Sequence, residues 1–410
     1  MVVDWWCHQP TRRKAENNQG GASMIKVASL FSQVLSLIDR RLFQRACIEY
    51  QTEKSSKGFS SWNQLVSLLF SQFAGANSLR EIAGGLATIR GKLNHLGIAA
   101  APKKSTLAYA NSKRPWQFFE ALFHQTFKTV QELAFRHKRK FKFKNPLYSI
   151  DSSVIDLCLK VFDWAHFRRT KGAVKLHLLL DHQGYLPCWA FLSDGKCADI
   201  KVARMLKLPS GAIVVMDRAY NDFSLFSAWC AQGVHFVTRK KDGTLYEILQ
   251  ERPVASDKNI LTDETIILNG RGAYEKCPYP LRLVTFYDEK QGVMRVLSNN
   301  FKLAAATIAA IYKDRWQIEL FFKAIKQNLK VKSFLGTSEN AVKSQLWTAL
   351  IAMLLLKYLQ LKSTLGWSLS NLVALLRINL LTYRDLWAWI DQPFDVGVVE
   401  PPSPPTLFPL

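Results

Sequence analysis

Four side chains in the stretch 311–330, IYKDRWQIELFFKAIKQNLK, have the types and spacing for phosphate chemistry. Wound at ~100° per residue, Tyr312, Arg315, Glu319 and Lys326 fall within an arc of roughly 60° and make one polar stripe. Ile311, Ile318, Phe322, Ile325 and Leu329 gather on a neighbouring arc that would seat the helix on a core. By itself such a stripe is an ordinary solvated face, with Arg315 and Glu319 at ion-pair spacing. Two aspartates change its meaning: Asp151 within a β-like run, and Asp217 at the end of the apolar run 212–216. Three converging carboxylates repel one another unless a cation sits between them. Hard oxygen donors suit Mg²⁺, with Mn²⁺ able to substitute. Two such ions polarise a scissile phosphate, activate water or a 3′-hydroxyl, and stabilise the leaving oxygen. Arg315, as a fork, and Lys326, as a point charge, would hold the substrate phosphates.

Convergence depends on the elements that carry these groups. Residues 147–157, 174–181 and 185–192 are expected strands, the last two joined by the tight His182-Gln183-Gly184 turn. A helix at 199–206 follows, then a buried parallel-type strand at 212–216, a helix capped by Asn221 and running to 232, and a strand at 235–238. The order is β-β-β-α-β-α-β. If the first and fourth strands are neighbours, Asp151 and Asp217 stand side by side, and Glu319 faces them from a helix at 304–330. Residues 240–300 hold short β-like runs broken by Asn269-Gly270-Arg271-Gly272 and Pro278-Tyr279-Pro280, an inserted β-rich subdomain ahead of the last core helix. Asp156 should point to the opposite strand face from Asp151. Asp181, Asp194 and Asp222 suit turns or caps, and Trp316 suits packing.

The chain has 410 residues, 48% of them apolar, enough for two to three domains and a sizeable core. Its 55 Lys and Arg against 32 Asp and Glu give a net charge of +23 and a pI near 9.7, which calls for a polyanionic partner. No membrane role is expected, since the longest apolar run, 346–356, stops at Lys357 at about half the ~20 residues of a span. Seven scattered cysteines without a C-x-x-C pair indicate neither a zinc ribbon nor a disulfide framework. The eight histidines lack metal-ligand spacing. Residues 1–23 have no apolar stretch of the signal-peptide kind, so a flexible extension on a cytoplasmic protein is expected.

Residues 24–115 are expected to form a helical DNA-binding domain. Ser61-x-x-Gln64 and Ser78-x-x-Glu81 are capping-box signatures, with the turn Gly75-Ala76-Asn77 between the helices they open. A further helix begins near Ser105 and ends by Pro115. The pattern is helix-turn-helix-like, with Lys103, Lys104, Lys113 and Arg114 near phosphates, or else a bundle with a basic surface. Residues 116–145 are a connecting helix and a basic segment. There, alternating Lys and Phe at 140–144 suits an edge strand or groove wall, with Arg139 and Lys140 on a phosphate backbone, or else a solvated charge run. The α/β core takes 146–239 and 301–335, the insertion 240–300, a helical C-terminal domain 336–392, and a disordered tail 393–410.

At its full spacing, Tyr312-x2-Arg315-x3-Glu319-x6-Lys326 resembles the Y-R-E-K signature of the insertion-sequence-4 family of DDE transposases. SIDSSVIDL around Asp151 and VVMDRAY around Asp217 resemble that family's first and second aspartate motifs, and the resemblance covers roughly residues 24 to 360. It implies an α/β, ribonuclease H-like core with a β-rich insertion. Asp151, Asp217 and Glu319 would be both catalytic and metal-binding, and Tyr312, Arg315 and Lys326 would position transposon-end DNA. The implied reaction on double-stranded DNA is end nicking, hairpin formation, hairpin opening and strand transfer to target DNA, carried out by a homodimer bridging two ends. A tryptophan in the family's insertion holds a flipped base, yet residues 240–300 contain none. Tyr274, Tyr279, Phe286 and Tyr287 offer stacking surfaces, but no residue is carried over for that role. The alternative function is a catalytically inactive, transposase-derived DNA-binding protein or repressor. The presence of all three acids favours the enzyme, and the Y-R-E-K spacing disfavours a non-transposing nuclease.

Overall fold

A computed structural model describes residues 28–394, apart from 55, 57, 90, 158–161, 163, 165, 169, 170 and 255–258. The expected N-terminal extension, most of the expected tail, Cys7 and Cys158 lie outside the described residues. Six helices come first: α1 (Leu30–Leu35), α2 (Arg40–Glu49), α3 (Ser61–Ala74), α4 (Leu79–Ala87), α5 (Lys104–Lys113) and α6 (Gln117–Ala134). The core then runs β1 (Leu147–Leu157), β2 (His166–Arg168), β3 (Lys171–Asp181), β4 (Leu186–Asp194), α7 (Asp199–Ala203), β5 (Ile213–Met216), α8 (Phe223–Ala231) and β6 (His235–Arg239). Next are β7 (Tyr246–Glu251), β8 (Ile260–Leu268), α9 (Ala273–Lys276), β9 (Leu281–Asp288) and β10 (Gly292–Ser298). The last described elements are α10 (Ala305–Asp314), α11 (Trp316–Asn328), α12 (Glu339–Lys362), α13 (Leu369–Asn379) and α14 (Leu386–Asp391).

Among the described residues all ten strands belong to one sheet, ordered β2-β3-β1-β5-β6-β10-β9-β8-β7, with β4 also paired to β3. β5 lies parallel between β1 and β6, and its four residues are all buried. Alternation along the strand sends Val214 and Met216 toward Phe226 and Trp229 of α8, while Ile213 and Val215 meet Ile308 and Ile311 of α10. A strand covered on both faces needs an unbroken apolar run, which explains why IVVM was legible as a buried parallel strand.

Several expectations change. The insertion is not a separate body: β10 pairs antiparallel with β6, Leu297 opposite Thr238, so its strands extend the core sheet. The short strand β2 adds an element between the first two expected strands. Ser60, not Ser61, caps α3. Asp222, not Asn221, caps α8 by accepting from Leu225 N at 2.8 Å, while Asn221 bonds the Arg239 carbonyl. The Lys/Phe segment is not a strand; Phe141 and Phe143 stack on one another against the core while Lys142 and Lys144 face water. The helix expected at 304–330 is broken at Arg315, where the Ile318 amide reaches back three residues to the Arg315 carbonyl and the turn tightens.

The N- and C-terminal helices share one hydrophobic cluster with α11 and a face of β3 and β4. α12 is long and apolar enough to cross a membrane by length and composition, but 83% of its apolar window is buried inside the protein, where Trp347 meets Phe123 of α6. It is the central helix of this body.

Candidate active site

The site starts from a register. Ile150 of β1 pairs with Met216, the last residue of β5, so the next residues, Asp151 and Asp217, stand level on adjacent parallel strands. Ile150 and Met216 turn into the α8 side of the sheet, and alternation sends Asp151 to the side of α10 and α11. Each aspartate accepts from the amide that follows it, Ser152 N at 2.8 Å and Arg218 N at 2.7 Å. Burial, with Glu319 and Asp217 adding to it, pushes the Asp151 carboxyl up to about 6, against the opposing pull of the Ser152 amide and Arg315.

Facing them is the junction of α10 and α11. Arg315 Nη2 donates to Glu319 Oε1 at 2.6 Å, and its Nη1 stands 4.0 Å from Asp151 Oδ2. Tyr312 is buried at the end of α10, with the Arg315 guanidinium carbon 5.9 Å from its ring centroid. Lys326 Nζ donates to the Val154 carbonyl of β1 at 3.0 Å, which pins α11 to the strand that carries Asp151. Asp151, Ser152, Glu319, Lys323, Lys326 and Lys332 line one open cleft. Asp151, Glu319 and Lys326 thus share this cleft, Asp217 stands beside Asp151 through the strand register, and Tyr312 and Arg315 line a separate hollow with Phe286 and Trp316.

Lys323 and Lys332 were missed by the sequence reading. Lys323 stands one turn beyond Glu319, a spacing that could have flagged it, whereas Lys332 follows the helix and has no periodic signal. Asp156 is exposed, and Trp316, expected to pack, is 53% exposed beside Arg315.

The other expected DNA contacts lie elsewhere. Lys103, just ahead of α5, and Lys104 and Lys113 on it are exposed and do not line the cleft. Arg114 is corrected outright: its guanidinium turns inward, donating to Thr52 O at 3.0 Å, Ser60 O at 2.9 Å and the Phe59 carbonyl, because the loop ahead of α3 leaves carbonyls that need partners. Arg139 donates to Lys144 O at 2.9 Å. Lys140 reaches Asp314 at 2.5 Å, one residue before Arg315.

Asp151, Asp217 and Glu319 carry hard oxygen donors of the kind a divalent ion takes, and a cation between them would relieve their mutual repulsion. Among the described residues, no three His, Cys, Asp or Glu side chains stand close enough to share one ion, and Glu319 is drawn onto Arg315. The donor types fit a divalent ion, while in this arrangement Glu319 is held by the Arg315 cation.

A family model described as Transposase DDE domain matches residues 142–355, from just before β1 to the end of the apolar stretch of α12. A domain of unknown function matches residues 26–99. The chain is 31% identical over 308 residues to the "Putative transposase y4zB" of Sinorhizobium fredii, across 74% of this chain and 82% of that protein. It is 32% identical over 226 residues to the "Probable transposase for insertion sequence element IS5377" of Geobacillus stearothermophilus, across 54% of this chain and 59% of that protein. Among solved structures, a piggyBac transposase synaptic complex with hairpin DNA aligns over 90% of this chain and 81% of its own at 10% identity, but its TM-score of 0.39 is too low to bear on fold or mechanism. The match across the stretch that holds Asp151, Asp217 and Glu319 places the chain in the transposase DDE domain family: it is a DNA transposase of insertion-sequence type, an enzyme that cleaves and joins DNA strands and depends on divalent metal.

Proposed function

We propose that this transposase is of the insertion-sequence-4, Y-R-E-K type, built on a ribonuclease H-like core, and that Asp151, Asp217 and Glu319 are its catalytic carboxylates. The observation that carries this reading is the β1–β5 register, which sets Asp151 beside Asp217 and opposite the Arg315–Glu319 turn. The three carboxylates would hold Mg²⁺, or Mn²⁺ in its place, which when bound supplies polarisation of the scissile phosphate and of the attacking oxygen. The protein's own groups do the rest. Arg315 and Lys326, with Lys323 and Lys332 alongside, hold the phosphates of the transposon end over Asp151. Tyr312 fixes the helix end from which Arg315 projects. The reaction is cut-and-paste through a hairpin on double-stranded DNA, with a homodimer bridging the two ends.

The test is cleavage of a labelled duplex carrying the element's own terminal sequence, with Mg²⁺ or EDTA, scored for nicked and hairpin products. Metal-dependent hairpins that vanish in Asp217→Asn would support the reading. Specific binding without cleavage in Mg²⁺ or Mn²⁺ would replace it with a DNA-binding repressor.

A further inference from the structure

We infer that α5 is the helix that reads base sequence in the major groove of the transposon end, which rests on the reading of this chain as a transposase acting on its own terminal duplex. The turn-linked pair α3 and α4 is the obvious candidate from sequence, but neither helix is built to read. α3 is buried from Ser61 to Leu69 apart from a half-covered Asn63, and continues buried to Phe73. α4 exposes only Arg80, Glu81, Gly84 and Ala87, and the Glu81 carboxylate, which accepts from the Asn77 amide at 2.8 Å, offsets the charge of the arginine beside it. α4 also lies so close to α3 that a Cβ on Gly85 would stand 2.8 Å from the Phe70 ring. These two helices form a platform.

α5 has the complementary properties. Only Leu107, Ala110 and Asn111 of its ten residues are buried. Lys104, Ser105, Ala108, Tyr109, Ser112 and Lys113 are all exposed, and their i, i+1, i+4, i+5, i+8, i+9 spacing makes one continuous face. The middle of that face is small or hydroxylated, so the helix backbone can approach base edges, and Tyr109, 66% exposed, projects from it. Lys103 and Lys104 flank one end and Lys113 the other, and residues 103–114 contain no acid. An α-helix with its side chains is about 10–12 Å across, which a major groove about 12 Å wide admits.

The helix is also held rigidly from behind. Asn111 accepts from Gln64 Nε2 at 2.9 Å inside the core. Asn340 of α12 donates to the carbonyls of Asn111 at 2.8 Å and Arg114 at 2.6 Å. Arg114 staples the end of the helix to the loop before α3. A cationic, acid-free, small-centred face on a fixed helix fits double-stranded DNA and would not retain a partner lacking dense negative charge.

The experiment measures binding of the full chain to the terminal duplex and to a scrambled duplex of equal length, across a salt series. Tyr109→Ala, and separately the uncharged Ser112→Leu, should lower affinity for the terminal duplex roughly 10-fold or more, with little loss on the scrambled one. Lys103→Ala and Lys113→Ala should weaken both duplexes alike, each lowering the log-log salt slope by about 0.9. Thermal melts confirm that these exposed substitutions leave the fold intact. If Tyr109→Ala and Ser112→Leu keep the wild-type discrimination, α5 is not the reader. That result leaves the transposase reading standing as long as the wild type cleaves in Mg²⁺ and Asp217→Asn does not; if the wild type itself fails to cleave, the broader reading fails instead.

Discussion

The Arg315 guanidinium donates to the Glu319 carboxylate at 2.6 Å across one helical turn, with Arg315 13% exposed and Glu319 34%. At this depth the pair is not a surface ornament. Glu319 cannot serve fully as a metal ligand while Arg315 holds it, and Arg315 cannot fully engage a phosphate while Glu319 neutralises it. A DNA phosphate and a divalent ion would each take one partner, so binding of either would free a group for the other.

Glu319→Gln keeps the shape of the turn but removes the charge. Strand cleavage should fall by on the order of 10³ or more, while binding of the terminal duplex is retained because Arg315 is left free for phosphate. Single-turnover cleavage beside an anisotropy titration checks both halves. Normal cleavage by this variant would remove Glu319 from the catalytic set.

Asp151 makes the site pH-sensitive. Burial first, then Glu319 and Asp217, push its carboxyl up from 3.8 to about 6. Since a metal ligand must be deprotonated, divalent-ion affinity should drop about tenfold per pH unit below that point and level off above it. The stability sign is the opposite: the folded chain favours the protonated form, so this group's contribution is present at low pH and is lost as pH rises from 3.8 toward about 6. Mn²⁺ titrations of the DNA-free protein between pH 5 and 8 measure the first effect. A flat affinity from pH 5 to 7 would exclude Asp151 as a ligand.

Sequence alone made this centre legible because its parts carry local signals. IVVM ending on Asp217 announces a strand covered on both faces, and the Tyr312, Arg315, Glu319, Lys326 spacing survives the break at Arg315. Non-local features were not legible. The pairing of β10 with β6 joins residues about sixty apart, and no turn chemistry or periodicity records it. The break at Arg315 contains neither Pro nor Gly, so it too has no local mark. Arg114 and Lys113 are adjacent basic residues in sequence, and only the demand of the Thr52, Phe59 and Ser60 carbonyls distinguishes the inward one.

That distinction predicts opposite phenotypes for neighbouring residues. Arg114→Ala strands several loop carbonyls and should cost about 2–4 kcal/mol of stability, whereas Lys113→Ala should leave stability within about 0.5 kcal/mol. Urea unfolding of both variants decides the point. Equal stability would mean that the Arg114 bonds contribute little.

A buried relay links the two halves of the active site. Ser149, two residues before Asp151, bonds His182 Nε2 at 2.7 Å, and His182 Nδ1 meets Asp314 Oδ2 at 2.7 Å. Asp314 immediately precedes Arg315 and also accepts from Tyr185 and Lys140. Burial alone would raise the Asp314 carboxyl, but the hydrogen bonds from His182 and Lys140 hold it below its usual range, so it is kept charged. With Ser149 fully buried and Asp314 nearly so, these groups cannot reach DNA; they set the distance between the strand of Asp151 and the turn of Arg315. Asp314→Asn and His182→Ala should each lower cleavage roughly 10- to 100-fold with duplex affinity unchanged. Because both break the same link, the double variant should lose little more than either single one. A double-mutant cycle on cleavage rate measures that coupling; losses that simply multiply would show that the two residues act independently and that no relay positions Arg315.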